Sequence, residues 1–161
     1  EILIGLVGSE MCIRDRLTYA GRLDKDSEGL ILLTNDGDLI NVMMRGANRH
    51  EKEYIVKTDR EITPDFLEKM AKGIYLKDLD ITTRECEIEQ IGKFTFRIVL
   101  TQGVNRQIRR MCEACGYRVK ALKRIRIMNI LLGDLKPGKW REVTGEELEQ
   151  LQRDTGMLNR N

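Results

Sequence analysis

Residues 21–37 read GRLDKDSEGLILLTNDG. Charged residues crowd the first half of this stretch. Leu30, Ile31, Leu32 and Leu33 follow as one apolar block, and Asn35, Asp36 and Gly37 close it with turn formers. A short apolar run bounded by turn signals predicts a buried strand. A charged loop fixed to the end of such a strand is a good mount for a reacting carboxylate, because the scaffold holds the side chain while the loop exposes it. Asp24 is the candidate, with Asp26 and Glu28 nearby. A lone carboxylate in a loop also fits a cap, a turn or an ion pair, so residue type alone leaves its role open.

The other chemically capable side chains narrow the choice. His50 is the only histidine, which argues against a histidine-based triad. Cys112 and Cys115 have the spacing of a redox motif or half a zinc site, but Cys12 and Cys86 supply no second pair, so no metal is expected. Four cysteines in 161 residues are too sparse for a disulfide scaffold and fit reduced thiols in a cytoplasmic protein. No apolar run reaches membrane-spanning length, and residues 1–7 lack the basic start of a signal peptide.

Charge is informative through its distribution. The net charge is only +2. Between residues 103 and 126, however, Arg106, Arg109, Arg110, Arg118, Lys120, Lys123, Arg124 and Arg126 face a single acid, Glu113. Residues 59–90 are acidic on balance. A basic stripe inside a nearly neutral chain fits a surface that faces nucleic acid, the alternative being an ordinary solvated face.

The elements that must position these groups alternate between strands and helices. A helix is predicted over 38–45 with Gly46 as its stop, and a strand over 52–58. Thr63 and Pro64 open a second helix as N-cap and first helical residue, and Gly73 ends it. A short strand is expected over 74–76. Two strands, 82–91 and 93–101, turn at Gly92-Lys93. Residues 105–114 form a helix that Asn105 caps and Gly116 closes. A long strand runs over 118–130, and a last one over 140–143. Thr144 then starts a final helix, with Glu147 completing a capping box. Hairpins with intervening helices predict an α+β chain with one real core.

Three segments taken together resemble the RsuA/RluF-type pseudouridine synthases. They are GRLDKDSEGLILLTNDGDL, then HEKEYIVKTD from His50, then TQGVNRQIRRMCEACGYRVKALKRIRIMNI from Thr101. The HEKEY and RIMN runs look nearest the RluF branch, which modifies large-subunit (23S) ribosomal RNA. The resemblance implies a long, bent, mixed but largely antiparallel sheet with flanking helices and the active cleft across its middle. It implies conversion of uridine to pseudouridine by an aspartate nucleophile, with no cofactor and no metal. Asp24, Tyr54 and Arg109 match the family's catalytic positions: the nucleophile, the tyrosine that stacks on the uracil, and the arginine that pairs with the aspartate. Arg22, Lys52, Asn105, Arg106, Ile108, Arg110, Lys120, Lys123 and Arg124 are the expected RNA-binding residues. The expected partner is ribosomal RNA, with transfer RNA as an alternative substrate, and the expected state is a monomer with no membrane association. A catalytically impaired RNA-binding module of the same fold is the competing reading.

Residues 17–161 correspond to the catalytic domain of that family. Residues 1–16 resemble neither its first catalytic strand nor the small S4 RNA-binding domain that normally precedes it. They are expected to be a non-native or atypical segment, with the S4 domain absent.

Overall fold

The computed structural model describes residues 2–5 and 17–158. In chain order the strands are β1 (Ile2–Gly5), β2 (Thr18–Ala20), β3 (Glu28–Gly29), β4 (Ile31–Thr34), β5 (Lys52–Thr58), β6 (Tyr75–Leu76), β7 (Ile81–Thr82), β8 (Glu87–Gly92), β9 (Thr95–Leu100), β10 (Val119–Ile127), β11 (Ile130–Leu131) and β12 (Trp140–Glu142). The helices are α1 (Gly37–Met44), α2 (Pro64–Lys72), α3 (Gln107–Ala114) and α4 (Gly145–Asp154), with a 3-10 turn at Gly46–Asn48.

The α+β reading holds. Among the described residues the expected bent sheet resolves into two larger hydrogen-bonded sheets and a two-stranded one, β6-β7. One sheet has the order β12-β1-β4-β2, and the other β11-β10-β5-β9-β8 with β3 added to β10. All pairings are antiparallel except β3 on β10, which is parallel. Chain passes from one sheet to the other at Leu30, between β3 and β4. The segment expected to be foreign contributes β1, which pairs with β4 on one side and β12 on the other. The rest of that segment, residues 1 and 6–16, lies outside the described residues.

Two apolar cores follow from this arrangement. Leu30 and Leu32 pack with Leu39 and Met43 of α1, Ile127 and Ile130 near the end of β10, and Leu151 of α4. Val56, Phe96, Ile98 and Leu100 pack with Phe66 and Met70 of α2 and with Ile108, Met111 and Cys112 of α3. Cys112 therefore belongs to a core, and burial pushes its thiol up to about 12. No described helix is long and apolar enough to cross a membrane.

Local chemistry explains most element ends. Asp36 caps α1 by accepting from the backbone N–H groups of Asp38 and Leu39. Thr63 caps α2 by accepting from Phe66 N–H, with Pro64 at the first helical position. Two expected caps are corrected. Residue 105 does not start α3: the helix begins at Gln107, and Arg106 ahead of it adopts a left-handed φ of 52° with no side-chain cap. The oxygens of Asn105 are engaged by Arg110. Thr144 makes no side-chain cap on α4, and Glu147 binds both terminal nitrogens of Arg141 at 2.6 and 2.8 Å. A bidentate pair with a guanidinium outweighs the single backbone N–H bond that a capping box would give this carboxylate. The expected strand 118–130 is shorter, with register shifts between Val119 and Ala121 and between Arg124 and Arg126. Expected strand 82–91 is also interrupted, pairing first with β6 and then with β9.

On the sheet face away from α2 and α3, Arg97 is the hub of an ion-pair ladder. It pairs with Glu53, Glu87 and Glu89, and Arg126 pairs with Glu51 at 3.1 Å and Glu53 at 3.5 Å. The carboxylates beside it, Glu87 foremost, hold the Arg97 guanidinium well above its ordinary value.

Gly29 sits where β3 meets β10. Its φ is +113°, and a Cβ there would lie 2.2 Å from the Arg124 carbonyl oxygen. Backbone strain and overpacking then act together, so Gly29→Ala should cost about 3 kcal/mol in urea unfolding. At Gly37 a Cβ meets nothing within 4 Å, so Gly37→Ala should stay within about 0.5 kcal/mol of wild type. Equal effects at the two positions would contradict the close approach.

Candidate active site

Strand alternation decides what faces the space between the two cores. On β5, Lys52 and Tyr54 point to one side and Glu53 and Ile55 to the other. On β10, Leu122 and Arg124 point the same way as Lys52 and Tyr54, since Tyr54 is the direct partner of Arg124 and Val56 of Leu122. Leu100 at the end of β9, the loop before α3 and the 21–27 loop complete a cleft of about 300 Å³. Asp24, Tyr54 and Arg109 all line it. So do Arg22, Lys52, Asn105, Arg106 and Ile108. Sequence reasoning thus assembles one site from three separate stretches.

The electrostatics are lopsided. Arg22, Lys52, Arg106, Arg109 and Arg124 line the cleft, and Asp24 is the one carboxylate among the described lining residues. Burial pushes the Lys52 ammonium below its ordinary value, and the neighbouring Arg124 charge pushes it further the same way. Ile108 is buried and gives the wall an apolar patch.

The loop that carries Asp24 is held from several directions. A tight turn closes it, with Ser27 N–H donating to the Asp24 carbonyl at 2.9 Å. Arg109 Nη2 donates to the Asp26 carbonyl at 2.8 Å and lies 3.4 Å from Ser27 Oγ. The expected ion pair between Arg109 and Asp24 is therefore corrected: among the described residues Arg109 grips the backbone of the loop, not its carboxylate. Its Nε is buried without a partner among the described residues.

Arg124 requires a larger correction. Expected on the RNA-facing surface, it is 1% exposed. Its Nε donates to Leu30 O at 2.8 Å, Nη2 to Gly21 O at 3.1 Å and Nη1 to Arg22 O at 3.2 Å. Leu30 N–H donates in return to Arg124 O at 2.8 Å. Burial disfavours the guanidinium charge, and the Tyr54 oxygen beside it offsets this in part.

The remaining expected RNA contacts separate by position. Arg110 turns away from the cleft, donating from Nε to Asn105 O at 2.9 Å, with Asp78 at 3.9 Å. Lys123 lies between Leu122 and Arg124 and so projects from the opposite face of the sheet, away from the cleft. Lys120 is exposed at the first register shift of β10 and does not line the cleft.

Sequence reasoning also missed an amide relay in the wall. Gln102 Oε1 accepts from Arg84 N–H at 2.7 Å and from Gln107 Nε2 at 3.2 Å, tying the strand end to α3. Neutral Gln side chains give no sequence signal for this. For Arg124 there was one: its even spacing from Leu122 puts it on the face that goes inward.

Comparison with known proteins agrees with this geometry. A model of the RNA pseudouridylate synthase family matches residues 13–114. The chain is 52% identical over 136 residues to the dual-specificity RNA pseudouridine synthase RluF of Escherichia coli, a match covering 84% of this chain and 46% of that protein. It is 37% identical over 139 residues to an uncharacterized RNA pseudouridine synthase of Aquifex aeolicus, covering 86% of this chain and 57% of that one. The chain thus spans about half the length of the curated relatives it matches. A crystal structure of a pseudouridylate synthase superposes with a TM-score of 0.87 at 25% identity, covering 93% of this chain and 73% of the other. Motifs, mixed sheet and cationic cleft have one explanation: the chain belongs to the RNA pseudouridylate synthase family.

Proposed function

We propose that this chain isomerises a uridine of large-subunit ribosomal RNA to pseudouridine, with Asp24 as nucleophile. The observation that carries the reading is the composition of the cleft: one carboxylate, one tyrosine and an excess of arginine and lysine around a space suited to a single extruded nucleotide. Extrusion of the base costs a few kcal/mol, which contacts in the cleft must offset. Tyr54 and Ile108 offer the flat and apolar surfaces on which a flipped uracil can rest. Arg22 and Arg106, both exposed at the cleft, suit the phosphates on either side of it.

The reaction balances without an outside reagent. The N1–C1′ bond breaks as the Asp24 carboxylate assists the base to leave. The base turns, C5 bonds to C1′, the proton on C5 is lost and N1 gains one. Tyr54, across the cleft on β5, is the side chain we assign to the region of the C5 proton. Arg109 contributes by holding the Asp26 carbonyl and the Ser27 hydroxyl, so that the carboxylate keeps its place while the base rotates. We assign the chain a monomeric state in the cytoplasm.

Release of tritium from C5-labelled uridine in ribosomal RNA tests the assignment. Wild type should release it, and Asp24→Asn should bind the RNA equally well and release none. Turnover by Asp24→Asn would remove Asp24 from the mechanism, and a wild-type chain that binds RNA without release would favour the binding-module reading. The same assay on transfer RNA tests a second substrate class, prompted by the dual specificity named for the E. coli relative.

RNA binding against salt separates the cations. Arg22→Gln and Arg106→Gln should each reduce the slope of log affinity against log salt by roughly 0.7 to 0.9. Lys123→Gln, on the far face of the sheet, should leave it unchanged. A reduced slope for Lys123→Gln would put RNA on the wrong side of the sheet for this reading.

A further inference from the structure

We propose that Arg124 is the positioning residue of Asp24: its guanidinium, sealed beneath the cleft, binds carbonyls on both sides of Asp24 and fixes the loop without touching RNA. The proposal rests on the reading of Asp24 as the nucleophile.

Its partners carry the argument. Gly21 and Arg22 precede Asp24 and Leu30 follows it, so one side chain from β10 cross-links the two ends of the loop. The link is closed from the other side as well. Leu30 N–H returns a bond to the Arg124 carbonyl, and glycine at position 29 lets the two backbones meet. Among the described ion pairs Arg124 has no carboxylate partner. A buried guanidinium without an acid is costly to bury, and here its donors are spent on loop carbonyls. Three acceptors in different directions suit the planar fork of arginine and not the single point charge of lysine. At 1% exposure the side chain meets the cleft only as part of its floor. Tyr54 stands directly across from Arg124 in the β5–β10 register, and its oxygen lies beside the guanidinium. The same residue therefore sits between the nucleophile's loop and the tyrosine of the site.

Comparison of wild type with Arg124→Lys, and NMR of the wild-type chain, decide the matter. The variant keeps the charge and loses the fork. Its single-turnover rate at saturating RNA should fall about 10²-fold, the scale of a misplacement near 1 Å. Its RNA affinity and salt slope should equal those of wild type. An unchanged rate would overturn the proposal. So would weakened affinity with a smaller salt slope, the mark of a phosphate contact, or a loss of melting temperature and affinity in step with the rate, the mark of a general structural role.

A separate readout needs neither a folded variant nor activity. In ¹⁵N NMR of the wild-type chain, the Arg124 Nε–H should exchange slowly with water and keep its chemical shift when RNA is added. Fast exchange, or a large shift on RNA binding, would overturn the clamp. Absence of turnover in wild type would count against the reading of Asp24 alone, because the NMR signal is independent of it.

Discussion

A buried arginine with backbone carbonyls for partners organises this protein. Hydrogen bonds from a charged donor are worth about 1.5–3 kcal/mol each, and breaking up a buried charge's set of partners costs about 3–5 kcal/mol. Arg124 joins β10 to the loop ahead of β4 through three such bonds, with one backbone bond returned. Those contacts lie where the chain crosses from one sheet to the other. The two sheets also share the apolar core of Leu30, Leu32, Ile127 and Ile130, but these bonds are what tie both ends of the charged 21–27 loop to β10. The parallel pairing of β3 with β10 and the positive φ of Gly29 occur at this same joint.

The joint also explains how so many cations coexist. Along β10 the basic residues that looked like one stripe serve three purposes. Arg124 goes inward to the loop, Arg126 goes outward to Glu51 and Glu53, and Lys120 and Lys123 stay in solvent. The positive charge that remains inside the cleft surrounds Asp24, and this is the environment in which an anionic backbone can be drawn close to a single carboxylate. On the far sheet face Glu53, Glu87 and Glu89 gather around Arg97.

Much of this was legible in sequence where local chemistry decides the outcome. Thr63-Pro64, the alternation of 52–58 and the apolar block at Leu30 read correctly because capping, pleat and burial act within a few residues. The three motif segments did meet in one cleft. What failed turned on a nearby arginine that competes for the capping group. Asn105 looked like a cap, but its oxygens are taken by Arg110. Glu147 looked like half a capping box, but Arg141 offers a stronger bond. The apolar spacing of Val119, Leu122, Ile125 and Ile127 departs from strict alternation, a visible sign of the register shifts that send neighbouring arginines to opposite faces. Arg109 matched a motif position, yet its shorter observed bond is to the Asp26 backbone carbonyl, which no side-chain pattern encodes.

The central claim is that the Asp24 loop is anchored to the core through β10. Site-resolved amide hydrogen exchange on the wild-type chain tests it most directly, because the Leu30 N–H bonds to Arg124 O and opens only if the joint opens. The account predicts that Leu30 exchanges as slowly as core amides such as Val56 and Ile98. Exchange of Leu30 at the rate of the exposed Asn35–Asp36 turn would contradict it.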